Sequence, residues 1–290
     1  MRRSPDRRSR VRQALTFLGF VALLLVAWEA LKFIGGDPWR YFGWEWRPPL
    51  DIKYVTDLNL PHVWEIVGAL AKPVQRGTEQ SLAQFLLGAA AYTWREAAIG
   101  FVAGALLGAT LSAIFVHSRL MERAFVPYVI ASQTIPIVAL APLVVFAFGQ
   151  SVTSVVIIAT YLTFFPVTIA MIRGLRSPDP RALELMRSYA ASRWSVFWKL
   201  RLPASLPYLF TALKISATAS IVGAIIGEGP GGIPDGLGRV IINFNNQYIT
   251  GPEKLWAAIV ASALLGIVFF GLIRLAELFV LRGRPDAAAA

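Results

Sequence analysis

Residues 184–203 read ELMRSYAASRWSVFWKLRLP and concentrate the groups in this chain that can make directed contacts. Arg187, Arg193, Lys199 and Arg201 lie in a single run, interleaved with Trp194 and Trp198. Cationic side chains among indoles suit two tasks: gripping anionic lipid headgroups, or docking into a groove on a partner protein. Catalytic groups are scarce. No cysteine is present, which excludes thiol catalysis, disulfides and Cys-based metal sites. His62 and His117 are the only histidines, too few for a His-built zinc site. No HExxH, GxSxG or paired mid-span carboxylates occur, so no catalytic or metal-binding residue is assigned.

The elements that must hold this segment are apolar. Of the 290 residues 56% are hydrophobic and 16% charged, whereas a soluble domain carries about a quarter charged residues. Residues 1–12 form a basic tail, followed by an apolar run over 14–34 that is long enough to span a bilayer. That run exceeds the apolar core of a signal peptide and lacks a small-residue cleavage site, so it reads as an uncleaved first span. Residues 35–95 are polar and aromatic, with a Trp and Tyr cluster at 39–46 suited to a membrane interface and an amphipathic helix expected over 81–92. Further spans are expected over 97–116, 124–148, 152–172, 207–226 and 255–280. This divides the chain into a tail and first span (1–34), an outer loop (35–95), a five-span core (96–281) and a C-terminal tail (282–290).

Charge orients it. The 173–206 loop holds seven basic residues against Asp179 and Glu184, while 227–254 holds Arg239 and Lys254 against Glu228, Asp235 and Glu253. With both termini inside, this satisfies the positive-inside rule and accounts for the net charge of +11 without nucleic acid. Gly100, Gly104 and Gly108 recur every four residues, a stripe that lets helix backbones approach within a bundle or across a dimer seam. Gln133, Thr134, Tyr161, Thr163 and Thr218 are the polar residues of the central spans, placed either on a translocation path or in interhelical contacts.

Within 177–206 the pattern predicts a helical hairpin. Ser177 or Asp179 caps its first helix, with Pro178 or Pro180 at the first position. Leu183, Met186 and Ala190 share one face. Ser192 caps the second helix, Trp194, Phe197 and Trp198 form its apolar face, Pro203 ends it, and Pro207 opens the next span. The glycine-rich stretch 227–238, GEGPGGIPDGLG, lacks the Lys-Ser/Thr of a phosphate-binding loop and reads as a flexible outer turn. Any ATP-driven motor is therefore expected on another chain.

On these residues the hairpin resembles the signature loop of inner-membrane permease subunits of binding-protein-dependent ABC importers. The family pattern, E-A-A, three residues, G, nine residues, I, one residue, L-P, falls on Glu184-Leu185-Met186, Ala190, Leu200 and Leu202-Pro203. The resemblance extends over roughly 93–281 and not over the Trp-rich segment 35–80. It implies an all-α, polytopic membrane helical bundle of about six transmembrane helices, like a type I ABC importer permease. It also implies that Glu184, Arg187, Ala190, Ala191, Ser192, Arg193, Trp194 and Pro203 couple the spans to an ATPase. Glu184 would bear a charged contact, 190–192 the tip, and Pro203 the exit into the fifth span. Because alanine replaces glycine at 190, a right-handed conformation is expected there, with the bend at a neighbour.

The implied partners are a cytoplasmic ABC ATPase dimer that binds ATP and Mg, an extracytoplasmic solute-binding protein, a second copy of this chain, and the lipid bilayer of the bacterial inner membrane; the outer stretch 243–250 reads equally as a contact for that binding protein or as an interfacial turn. The chain itself would hold no cofactor. Similarity is to the nitrate, sulfonate and taurine branch, and within it to permeases for pyrimidine thiamine precursors or riboflavin, carried by RSYAASRWSVFWKLRLPASLPYLF and NFNNQYITGPEKLWA. A secondary transporter or channel is the alternative. Against it, Glu29, Lys32, Glu96, Lys214, Arg274 and Glu277 are all expected near span ends, which leaves no mid-span acidic relay.

Overall fold

In hydrocarbon every backbone N–H and C=O must be satisfied within its own segment, so the apolar runs fold as helices. The computed structural model describes residues 7–41, 44–50, 52–75, 77–231, 233 and 235–282. The first six residues of the basic tail and residues 283–290 of the C-terminal tail lie outside the described residues. In chain order the elements are α1 (Arg7–Ile34), β1 (Trp39–Tyr41), β2 (Trp44–Trp46), α2 (Val63–Ala69), α3 (Leu82–His117), α4 (Arg119–Ser132), α5 (Ile137–Phe148), α6 (Val152–Leu175), α7 (Pro180–Ser188), α8 (Arg193–Val196), a π-helical turn (Phe197–Arg201), α9 (Leu202–Gly231), α10 (Leu237–Asn246), a 3-10 turn (Tyr248–Thr250) and α11 (Pro252–Val280). Among the described residues four helices are long and apolar enough to cross a membrane, or five if α4 and α5 form one broken span. Helix α1 contains the 14–34 run.

The chain divides into two compact units, Met1–Ala83 with Phe244–Ala257, and Gln84–Asn243 with Ala258–Ala290. In the first, β1 and β2 pair antiparallel, and the segment after α1 folds around aromatic rings. Trp46 stacks on Phe33 at 4.7 Å and His62 on Trp64 at 4.2 Å. The Trp39 and Trp46 indoles donate to the carbonyls of Lys32 and Phe33, the last-turn oxygens that a helix end leaves unsatisfied. Lys32 is buried there, bonded to Asp57 and, at 2.6 Å, to the Leu60 carbonyl. Glu29 accepts from Val63 N–H at 2.8 Å and contacts His62 Nδ1 at 2.7 Å.

In the second unit the glycine stripe of α3 lies against α6. A Cβ at Gly104 would stand 2.6 Å from Thr163 Cβ and 2.7 Å from the Thr160 carbonyl oxygen, and one at Gly108 2.6 Å from the Phe164 carbonyl. Helix α9 closes on the other side of α6, where Gly174 meets Ser205 and Gly227 meets Val155. Two buried clusters result. One gathers Ala97, Phe101, Val155, Ala217, Ile221 and Phe269; the other gathers Val167, Met171, Leu175, Phe197 and Ala212.

The amphipathic helix expected over 81–92 to lead into the next span is the first part of α3, which runs unbroken for 36 residues. The span expected over 124–148 is two helices that bend by 101°. Its cause is Pro136, whose ring pushes Ile135 out of helical conformation and which has no N–H to give the Ser132 carbonyl. The Tyr161 hydroxyl and the Ile135 N–H serve that carbonyl instead. The glycine-rich stretch is not a loose turn from 227: α9 continues to Gly231.

Candidate functional site

The hairpin begins where the chain leaves α6. Asp179 Oδ1 accepts from Arg181 N–H at 2.8 Å, capping α7, and Pro180 takes the first helical position, where a missing N–H costs nothing. At its far end Ala191 N–H donates to Met186 O at 3.0 Å and Ala190 N–H to Arg187 O at 2.9 Å. This pair of bonds is a Schellman closure, which needs the residue after the cap to be left-handed. Ala190 occupies that position with φ 48°, the only non-glycine positive φ among the described residues. The expected right-handed Ala190 is therefore corrected, because the two orphan carbonyls satisfied outweigh the Cβ clash. Ala190→Gly is expected to stabilise the hairpin by about 1 kcal/mol, the cost of left-handed alanine. Amide exchange at Ala191 checks this and should slow roughly fivefold.

Ser192 Oγ then accepts from Ser195 N–H at 3.2 Å and starts α8. Of the three aromatic residues of the second helix, only Phe197 is buried, in the cluster with Met171, Leu175 and Ala212. Trp194 is 67% and Trp198 60% exposed, so the expected shared apolar face is corrected: one ring anchors and two face outward. Leu185 and Tyr189 are exposed beside them, as are Glu184, Arg187 and Arg193.

Pro203 does not end the helix, and Pro207 does not open a new one. The chain passes from α8 through the π-helical turn Phe197–Arg201 directly into α9, with Leu202 N–H donating to Phe197 O. Widening the turn just before Pro203 makes room for its ring and for the N–H it lacks, so hairpin and span form one continuous helix.

Of the candidate path residues, Gln133 and Thr134 are exposed at the α4–α5 break, where Tyr161 donates to Ser132 O. Thr163 is fully buried in the α3–α6 seam beneath Gly104 and cannot line a path. Thr218 is exposed on α9, its hydroxyl donating to Ile215 O at 2.8 Å. Residues 243–250 cover the end of α10 and the turn Tyr248–Thr250, with Ile249 exposed.

A second cluster has no counterpart in the sequence reading. Glu228, without exposed surface, accepts from Gly238 N–H at 2.6 Å. Thr93 Oγ1 accepts from Leu237 N–H at 2.8 Å, so the first turn of α10 is held by α9 and α3 together. Gly236, at φ +100°, and Gly238 pass so close to the Glu228 carboxyl that any Cβ would collide with it or with Ile225 O. Glu96, equally buried, faces Glu228. The signal was present in the glycines at 236 and 238, two positions apart and a short chain distance after a carboxylate. The remaining ionisable pair in the spans, Lys214 and Glu277, is bonded at 2.8 Å.

With this geometry in place, comparison decides the family. The model for "Binding-protein-dependent transport system inner membrane component" matches residues 100–281, well over half of the chain and the whole hairpin. The chain belongs to that family.

This permease is 37% identical over 186 residues to the formylaminopyrimidine transport permease protein ThiX of Halalkalibacterium halodurans, covering 64% of this chain and 73% of that one. It is 32% identical over 166 residues to the riboflavin transport system permease protein RibX of Chloroflexus aurantiacus, covering 57% and 61%. In structure the permease is similar to an amino acid ABC transporter solved with histidines, at a TM-score of 0.56 and 16% identity over 67% of this chain and 94% of that one. That likeness shows the fold. The permease is thus a multi-pass, membrane-embedded subunit of an ABC importer. The aromatic segment 35–80 lies outside the family match.

Proposed function

We propose that this permease passes an aromatic heterocycle, a pyrimidine thiamine precursor, from an extracytoplasmic binding protein across the inner membrane. Two copies form the pathway, with both termini in the cytoplasm. A separate ATPase dimer supplies the energy and holds ATP and Mg, and the permease itself performs no catalysis.

The observation that carries the coupling role is the construction of the hairpin. It is closed by a Schellman motif, anchored by one buried ring, and fused through a π-helical turn to α9. A push on such an element moves the span, because no hinge separates them. Its exposed Tyr189, Trp194, Arg187 and Arg193 form an aromatic and arginine-bearing surface of the kind enriched at protein interfaces, with Glu184 exposed beside them. Support for the substrate class is the similarity to ThiX and RibX, transport permeases for a formylaminopyrimidine and for riboflavin.

The test is co-purification with the ATPase encoded beside it, comparing wild type with Glu184→Arg. Wild type is expected to retain the ATPase, and the charge reversal to weaken retention about tenfold, the scale of losing one exposed ion pair and gaining a like-charge contact. If wild type retains no ATPase, the hairpin is a lipid-facing element and a secondary transporter becomes the better reading. For the substrate, cellular uptake of a labelled aminopyrimidine should be lost with the gene and resist competition by taurine. Competition by taurine would overturn the heterocycle.

A further inference from the structure

At the end of the spans that carries the hairpin, four guanidiniums converge on one cavity of 780 Å³. Arg119 and Arg123 stand one turn apart on α4, Arg176 caps the end of α6, and Arg201 projects from the π-helical turn. Only one carboxylate enters the cavity, that of Glu122, and it is engaged by Arg176. Among the described residues Arg119, Arg123 and Arg201 have no carboxylate within ion-pair distance, and Arg187 adds a further positive charge within electrostatic range of Arg201. Like charges held together in this way focus a positive potential that attracts an anion. Val116, Val126 and Pro127 complete the lining with apolar surface.

We infer that this cavity binds the phosphate of an anionic phospholipid headgroup. Forked guanidiniums match the tetrahedral oxygens of a phosphodiester and remain charged at any physiological pH. The apolar part of the lining suits the glycerol backbone and first methylenes of such a lipid. Helix α4 favours a lipid over free phosphate. None of its residues is buried, and Leu120, Phe125 and Tyr128 are 73%, 50% and 74% exposed, so this helix presents apolar side chains beside the arginines as a membrane-surface helix does. Basic cavities between span ends are suited to headgroups in the same way. The site is independent of the substrate and of the coupling reading.

The full-length permease, purified in phosphatidylcholine nanodiscs containing a small fraction of dioleoylphosphatidylglycerol, is examined by native mass spectrometry on ejection into the gas phase. Wild type is expected to retain one phosphatidylglycerol per chain in preference to phosphatidylcholine. R123Q/R201Q and, separately, Val126→Trp, which adds bulk to the lining without changing charge, are expected to lower that retention at least tenfold. Arg282→Gln, outside the cavity, should leave it unchanged. Should R123Q/R201Q fail to fold, Val126→Trp decides alone. Equal loss in Arg282→Gln, or full retention in Val126→Trp, would show diffuse attraction to headgroups and overturn the site. If inorganic phosphate at millimolar concentration raises the melting temperature while phosphatidylglycerol is not retained, the ligand is a soluble phosphate and the lipid assignment fails.

Discussion

Gly104→Val is expected to destabilise this permease by about 3 kcal/mol, at the upper end of the range for overpacking. The position has no room to give. Even the first carbon of a side chain would come within 2.6 Å of Thr163 Cβ and 2.7 Å of the Thr160 carbonyl oxygen. A backbone carbonyl cannot rotate away as a side chain does, so α3 and α6 must separate along the seam. Separation loosens Gly100 and Gly108 as well, and both form part of the same close approach. Gly104→Ala should show a smaller loss in the same direction, about 1–2 kcal/mol. Gly88→Ala in the same helix, where nothing lies within 4 Å of the added carbon, should instead gain up to about 1 kcal/mol from helix propensity. Thermal melting of the purified chain measures all three. Equal melting temperatures for Gly104→Val and wild type would show that the seam is not a packed contact.

Glu228→Ala is expected to cost about 3 kcal/mol, by a different route. The substitution removes the acceptor of the buried Gly238 N–H; a stranded donor of that kind costs about 1–3 kcal/mol. It also empties the space that Gly236 and Gly238 enclose, and residual cavities add to the loss. Glu228→Gln separates these effects from charge. Its amide oxygen accepts the same bond, its volume is nearly unchanged, and it places no ionisable group opposite Glu96. Glu228→Gln is therefore expected to melt within a few degrees of wild type, with Glu228→Ala well below both. If alanine and glutamine melt alike, the carboxyl does not hold α10. Gly238→Ala should resemble Glu228→Ala, since it breaks the same contact from the other side.

Much of the hairpin was legible because its determinants are local. Asp179 and Ser192 accept from N–H groups two and three residues away, and Pro180 needs no partner at the first helical position, so residue type and spacing suffice to place the caps. Ala190 shows where that reasoning stops. Local propensity argues for a right-handed alanine, but the carbonyls of Met186 and Arg187 need donors, and only a left-handed residue brings the donors to them. Pro203 is similar. Proline propensity alone predicts a helix end, whereas the chain accommodates the ring with a wider turn that no single-residue preference encodes.

What the sequence by itself determined is the solvent and the uneven distribution of charge along the chain. Apolar runs long enough to span force helices wherever water is absent, and the spacing of Glu184, Ala190 and Pro203 identifies the hairpin without coordinates. Only the tertiary structure decided which polar residues are open and which are closed. Thr163 and Thr218 look alike along the chain, but one is sealed under Gly104 and the other stands free on α9. Glu228 and Gly238 are ten residues apart with helix end and loop between them, and their bond exists only because α3, α9 and α10 meet there. Such pairings depend on where helices pack against each other, and a linear pattern records each helix's face without recording its neighbour.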